Sequence, residues 1–485
     1  MKQQLLKITA GCILLAGMLQ ACTKGFTGLN TDPTKPSTAP PDALITGAEK
    51  AASDVLYNNF VNGKIGMLYS QYWSQTQKES DSQYKLDEAC NNTLWGLYSG
   101  ALSNLQEVVR LSSVNAAAVS PNEAAIANIL SVWLYQTLAD VYGNVPYHDA
   151  LTGLNNFTPH YDSAQAIYDS LVQKLDAQVA VFDTTKSTFK TGELIYQGNL
   201  TKWRKLANSL KLRIGIRMAD AAPEKSKQVV EAAAAAGVLQ PGDDALFPYL
   251  ATTPDQFPFN EQSGTGIPND YVMCKTLVDF MTSLKDPRLP VYARPTKGDG
   301  SYQGKPYGLG LPFGNDFTVY SYPGTRVYAP DFPGIVCTYS EVEFALAEAA
   351  ARGYAVSGTA EGHYQNAIAA NMKFWGIADT AAQAYITTVP YDAANWRNSI
   401  GTQKWLALYM QGIQSWIERV RLNFKKTDGS DLFTAPNSLD PTVQLVPYRL
   451  TYPISEGNVN STNYHQAGEA IGGDTKGTKL WWNRN

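Results

Sequence analysis

From residue 42 onward, the apolar positions are spaced mostly as a helix requires. They recur at intervals of three and four, which predicts helices near 42–57, 61–77, 91–111, 121–142, 163–182, 200–219 and 224–236. Trp203, Leu206, Leu210 and Ile214 fall on one face of such a helix. Ser120-Pro121-Asn122-Glu123 offers a capping serine, a proline at the first helical position and a glutamate three residues after the cap. Asp162, and then Asn199 or Thr201, can cap the next two long helices. From about 240 to 338 the periodicity breaks down. Gly, Pro, Phe and Tyr crowd in, and one short helix near 270–284 ends before Asp286-Pro287-Arg288. Helical spacing returns at 339–353, 358–372, 379–386 and 400–423, and the chain after 430 reads as irregular. Successive amphipathic helices with short connections predict stacked helical hairpins of tetratricopeptide type, although no clean repeat at that period is present. The expected fold is mainly α. A helical hairpin scaffold spans 42–240 and 339–425, a loop-rich insert with short strands spans 241–338, and an irregular tail spans 426–485.

The first residues follow another rule. Lys2 and Lys7 precede an apolar run from Ile8 to Leu19, followed by Gln20-Ala21-Cys22. Charged start, apolar middle, small residue and cysteine make a secretory signal of the lipoprotein kind. The expectation is a signal peptide at 1–21 and a lipid on Cys22. Prolines at 33, 36, 40 and 41 then make 22–41 an extended tether. The bland alternative is an ordinary signal peptide with Cys22 incidental. No later segment reads as long and apolar enough to cross a membrane.

Composition narrows the function. A net charge of −4 argues against a nucleic-acid partner. Only 17% of residues are charged while 28 are Tyr, a balance suited to neutral, hydroxyl-rich ligands. Cys90, Cys274 and Cys337 lack metal-like spacing and are expected as buried thiols. His148, His160, His363 and His465 are scattered and fit no zinc pattern. No cofactor or metal site is expected.

A series of motifs resembles the SusD/RagB-like nutrient-binding outer-membrane lipoproteins. Behind Cys22 stand Leu29-Asn30-Thr31-Asp32-Pro33, the aromatic stretch Tyr69-Ser70-Gln71-Tyr72-Trp73-Ser74-Gln75-Thr76, and Asp140-Val141-Tyr142-Gly143-Asn144-Val145-Pro146-Tyr147. Then follow Lys202-Trp203-Arg204-Lys205-Leu206-Ala207-Asn208-Ser209-Leu210-Lys211-Leu212-Arg213, Asp286-Pro287-Arg288, Glu341–Ala349, Gln403–Leu408 and Tyr448-Arg449-Leu450-Thr451-Tyr452-Pro453. The order along the chain carries the resemblance. Two features depart from it: the stretch after Cys22, Thr23-Lys24-Gly25-Phe26, holds no acidic residue, and Glu418-Arg419-Val420-Arg421 lacks the family's paired arginines. Most of these residues read as structural. Asn208 is placed to bond backbone between helices, and Arg213 and Arg217 to pair with the helix of Glu341, Glu343 and Glu348. Trp203 and Trp405 are expected in the core, and Tyr142-Gly143-Asn144 reads as a helix exit.

The resemblance implies a tetratricopeptide-like, SusD-like scaffold at 42–485 that faces a SusC-like TonB-dependent transporter, with exposed loops presenting the ligand site. It implies an outer-membrane protein held by its lipid and facing outward, which captures an oligosaccharide for uptake without transforming it. Peptide capture is the runner-up. Flat aromatic rings suit the C–H faces of sugars, and Tyr and Trp add a polar rim. Two segments combine rings with amides. One holds Trp73, Gln77, Tyr84 and Trp95; the other holds Tyr307, Phe313, Asn315, Tyr320 and Tyr322 within the aromatic-rich stretch 255–332. These nine residues are the expected ligand site, with Trp396 a lesser candidate.

Two other classes compete. A glycosidase needs two carboxylates across a bond, and Asp255, Glu261, Asp316 and Asp331 are available, but no spacing selects a pair. No Ser-His-Asp arrangement is visible in the sequence. An adaptor for protein partners would carry its aromatics on helix faces rather than clustered in an insert.

Overall fold

The computed structural model describes residues 39–77, 79–114, 119–263, 270–309 and 319–485. Its helices begin with α1 (Pro41–Tyr57), α2 (Glu88–Trp95), α3 (Ser103–Val114), α4 (Pro121–Tyr142), α5 (Ala164–Val181), α6 (Leu200–Arg217) and α7 (Pro223–Ala236). The insert carries α8 (Pro258–Ser263), α9 (Lys275–Ser283) and α10 (Leu289–Tyr292). Then come α11 (Tyr339–Ala351), α12 (Ala360–Phe374), α13 (Asp379–Thr388), α14 (Trp396–Ala407), α15 (Gly412–Leu422), α16 (Ile454–Val459) and α17 (Ser461–Ala470). The fold is mainly α. α3 packs on α4, α4 on α5, α5 on α6 and α6 on α7. α6 also packs on α11, which pairs with α12 and α14. This succession of antiparallel neighbours is the expected hairpin scaffold.

Capping explains several boundaries. Ser120 Oγ accepts from Glu123 N (3.3 Å), and Glu123 Oε2 accepts from Ser120 N (2.9 Å), so the predicted box starts α4. Ser163, rather than Asp162, caps α5 by accepting from Ala166 N (3.2 Å). Asp162 is engaged by the backbone of Tyr147 and His148 instead. Asn199 caps α6. At 22 residues, α4 is apolar enough to cross a membrane by length and composition, contrary to expectation, yet 89% of that window is buried in the protein. It is the central helix of a packed core.

Three predicted helices are interrupted, and the one expected at 91–111 is divided into α2, a π-helical turn at Tyr98–Leu102 and α3. The stretch expected as one helix at 61–77 is a π-helical segment, Asn59–Met67, followed by a turn with Gln71 at φ +52°. It ends in strand β1 (Trp73–Gln75). β2 (Val145–Pro146) pairs with β3 (Tyr161–Asp162), and β4 (Ala245–Phe247) with β6 (Gly334–Cys337). β1 pairs antiparallel with β5 (Tyr271–Met273), Trp73 opposite Met273. That partner lies some 200 residues away, so local periodicity could not announce it. Helix 400–423 breaks at 408–411, where Met410 takes φ +71°. Asn62 holds the break: its Nδ2 donates to Met410 O (3.0 Å), and its Oδ1 accepts from Gly412 N (3.0 Å). The expected irregular tail contains α16 and α17.

Buried charges tie the scaffold together. Arg213 grips Glu341 through Nε (2.6 Å) and Nη2 (2.8 Å), as expected. Arg217 differs: it reaches Asp140 on α4 (3.2 Å) and Glu418 on α15. Glu343 pairs with His363 (2.8 Å). Asn208 Nδ2 donates to Ala236 O (3.1 Å) and Gly237 O (2.8 Å), closing the α6–α7 turn. Trp203 and Trp405 are buried, and each indole N–H has an acceptor, Glu193 and Ser70 O. Arg288 is fully buried against Asp286 (2.6 Å), Asn371 and Gln403. Arg449 bonds Tyr142 O and Asp474, fastening the C-terminal segment to the end of α4. Cys90, Cys274 and Cys337 are buried thiols.

Candidate functional site

The backbone of β5 organises the insert. Met273 N donates to Ser321 O (2.7 Å), and Lys305 N donates to Met273 O (2.8 Å). Ser321 N donates to Gln303 O, and Arg294 N donates to Tyr322 O (both 2.8 Å). Segments 293–296, 302–305 and 320–323 therefore fan out beside β5. Because β5 also pairs with β1, the two aromatic segments singled out in the sequence do meet.

Their rings do not all face water. Trp73 is fully buried, edge-on to Phe259 and tilted against Tyr271, with Nε1 donating to Tyr409 Oη (3.0 Å). Tyr84 is fully buried and donates to Leu445 O (2.7 Å). Tyr307 lies beside Tyr84, ring centroids 6.4 Å apart, and is also buried. These three leave the expected binding surface: the strand pairing turns them into the joint between insert and scaffold. Trp95 belongs to a different cluster, with Tyr98, Tyr142, Tyr161 and Tyr452, and its Nε1 donates to Glu456 (3.2 Å). Trp396 lies under the guanidinium groups of Arg352 and Arg397. Phe313, Asn315 and Cys22 lie outside the described residues.

Tyr320 and Tyr322 are half-exposed and flank a buried Ser321, the alternation of an extended segment with one wet side. The guanidinium of Arg294 lies 5.2 Å from the Tyr322 ring centroid. Its Nε donates to Pro323 O (2.9 Å), which fixes the stack. Partial burial pushes the Tyr322 hydroxyl up, and the Arg294 charge opposes it. Tyr328 stands close enough to feel both Arg294 and Asp270, and burial drives its hydroxyl pKa upward. That hydroxyl is buried without a hydrogen-bond partner among the described residues. Tyr302 is half-exposed on the neighbouring segment. Gln77 is exposed, next to Thr76, whose N–H donates to Asp270 O (2.9 Å). The result is a shelf of tyrosines and one clamped arginine, which can stack on a sugar face and donate to its hydroxyls.

Sequence reasoning missed Arg294; Tyr302 and Tyr328 belong to the aromatic-rich stretch it singled out but stand outside the nine expected site residues. An arginine in a low-charge insert was the available signal. Of the carboxylates considered for glycoside hydrolysis, Asp255 approaches Lys50 (3.9 Å), and Asp331 pairs with Arg326 (3.1 Å).

Comparison with known proteins agrees with this architecture. No protein with a curated description matches the sequence. A solved structure titled a chitin-binding protein is 26% identical, with TM-score 0.82, covering 92% of this chain and 100% of that one. A SusD homologue from Bacteroides uniformis (23% identity, TM-score 0.80, 91% and 99% covered) shares the fold. So does a chitin-binding SusD homologue from Flavobacterium johnsoniae (23%, 0.79, 91% and 99%). The family profile described as SusD-like, starch-binding and associating with the outer membrane matches residues 33–453, and the chain belongs to this SusD-like family.

Proposed function

We propose that the protein captures an oligosaccharide at the outer membrane and passes it, unaltered, to a SusC-like TonB-dependent transporter. In this reading a lipid on Cys22 holds it at the cell surface, and residues 42–485 act as one binding domain. The observation that carries the reading is the Arg294–Tyr322 stack beside half-exposed Tyr320. A guanidinium held over a ring keeps that ring in place, and N–H donors stay available at its edge. Such a surface suits a neutral sugar chain, whose faces stack and whose hydroxyls accept hydrogen bonds. The relative titled chitin-binding makes chito-oligosaccharides the first probe, with malto-oligosaccharides second, after the starch-binding description of the family.

Titration calorimetry with both series tests this. Y322A and R294A are expected to weaken binding about tenfold each, a loss of about 1.4 kcal/mol, with little change in thermal midpoint. Wild-type affinity in both variants rejects the shelf as the binding surface.

A further inference from the structure

A second cleft, of about 600 Å³, opens between α3, α4 and α5 and shares no lining residue with the tyrosine shelf. Its volume lies within the roughly 300–1,000 Å³ of small-molecule sites. Among the described residues, no Asp or Glu lines it. Its polar lining includes Gln106, Gln173, Ser170, His148 and Lys174 around the ring of Tyr147.

Lys174 is the anomaly. Its ammonium lies 5.4 Å from the Tyr147 ring centroid, and no carboxylate pairs with it among the described residues. The acids on the same helix are committed elsewhere: Asp176 to Lys211 (2.6 Å) and Asp169 to Lys225. Burial alone acts on the Lys174 ammonium and pushes its pKa down. Tyr147 is held edge-on by Tyr135 and by His148, each 4.8 Å away between centroids. The Asp162 carboxylate acts on Tyr147 and Tyr135 but does not line the cleft, and other donors hold it. One oxygen accepts from His148 Nδ1 (2.7 Å), the other from the backbone N–H of Tyr147 (3.1 Å) and His148 (2.9 Å). His148 Nε2 then accepts from Ser170 Oγ (3.3 Å). Ser170 and Lys174 stand one turn apart on α5 and line the same cleft.

A partly buried cation without a counter-ion, an ordered hydroxyl, amides and a fixed aromatic face form a recognisable set. We propose that this cleft binds a carboxylate-bearing sugar, a hexuronate unit of an acidic saccharide. Its carboxylate meets Lys174, its ring face lies on Tyr147, and its hydroxyls meet Ser170 and the glutamines. The Ser170–His148–Asp162 order does not make a hydrolase, because Ser170 lies inside α5, where the backbone N–H groups are held by the helix and none is free to stabilise an oxyanion. A neutral sugar would leave the Lys174 charge desolvated and unpaired.

Titration calorimetry of the full chain with digalacturonate, cellobiose and acetate tests the assignment, in about 25 and 200 mM salt. Digalacturonate is expected to bind, more weakly at the higher salt, while cellobiose and acetate do not compete for the cleft. K174M should weaken it at least about tenfold and K174R much less. Because K174M removes a desolvated charge, its thermal midpoint should not fall. R294A and Y322A should leave uronate binding intact, which separates this cleft from the shelf. Absence of uronate binding, undiminished binding by K174M, or acetate binding as tightly as digalacturonate would each overturn the proposal.

Discussion

Arg421 on α15 holds both carboxylate oxygens of Glu348 on α11, at 2.7 and 2.6 Å, and both side chains are almost wholly buried. Arg421 also reaches Glu418 (2.6 Å), which Lys404 Nζ approaches at 3.0 Å, and Glu348 takes Arg352 as well. Through Asp220, which pairs with Arg352 and Arg397, four arginines, a lysine and four carboxylates thus form one linked set that includes Arg217 and Asp140. Arg419, the other arginine of that segment, turns away to donate to Tyr69 O.

Removing one member leaves its partner charged and dry. E348A should cost about 3 kcal/mol, the low end for a broken buried pair, because Glu418 still contacts Arg421. Urea denaturation measures it; a loss under about 1 kcal/mol would contradict this account. Burial raises the Glu348 pKa, but the charge of Arg421 outweighs it, and the carboxyl lies below its ordinary 4.5. Glu418 lies well below, for the same reasons. Both contribute stability that is present above pH 4.5 and lost as pH falls through the folded values. Acidification below that point should lower the wild-type thermal midpoint more steeply than that of E348Q.

Glu49 has the opposite sign. Burial, then the neighbouring charge of Glu193, raises its pKa well above 4.5. Glu193 accepts from Tyr196 N (2.6 Å), Gly198 N (2.7 Å) and Trp203 Nε1 (2.9 Å). Glu49 Oε2 accepts from Leu194 N (2.8 Å), and a proton on its otherwise unpartnered Oε1 can be shared with Glu193. The folded state holds this proton more tightly than the unfolded chain does. Its stabilising effect is therefore complete below pH 4.5 and declines as pH rises toward the folded value. E49Q, which carries its donor at every pH, should lose less thermal midpoint between pH 5 and pH 8 than wild type. An equal loss in both proteins would exclude the shared proton.

Trp73 and Tyr84 should behave as core residues. W73A is expected to cost about 3–5 kcal/mol in denaturant unfolding. Glycan affinity of the folded fraction should stay near wild type. A stable W73A that fails to bind glycan would return Trp73 to the ligand surface.

Gly66 and Gly412 mark a backbone crossing. A Cβ on Gly66 would lie 2.6 Å from the Gly412 backbone, and one on Gly412 would lie 2.5 Å from that of Gly66. Neither side can yield without parting α15 from the π-helical segment. G412A should lose about 1–3 kcal/mol or more by denaturant unfolding, whereas G237A, with open space around its Cβ, tests backbone strain alone.

The helical scaffold was legible because its signals are local. Apolar spacing placed α4 to α7, and Ser120 and Asn199 mark starts that the structure retains. The ion partner of Arg213 was legible as well, since helical spacing set which side chains face each other. Arg217 was assigned to the wrong carboxylates because its true partners, Asp140 and Glu418, lie on helices whose proximity only the packing creates. The site was legible as a region and not as residues. Rings in the insert and in the early aromatic stretch do meet, but strand pairing decided which of them face water.

The order of amino acids settled the class of fold, the family motifs and the core tryptophans Trp203 and Trp405, because periodicity, capping and composition act over a few residues at a time. Burial of Trp73, the breaks at Gln71 and Met410, and the stack of Arg294 on Tyr322 arose only when distant segments came together. A side chain's exposure is set by what packs against it, and β5, which decides the matter for Trp73, is supplied from the far side of the chain.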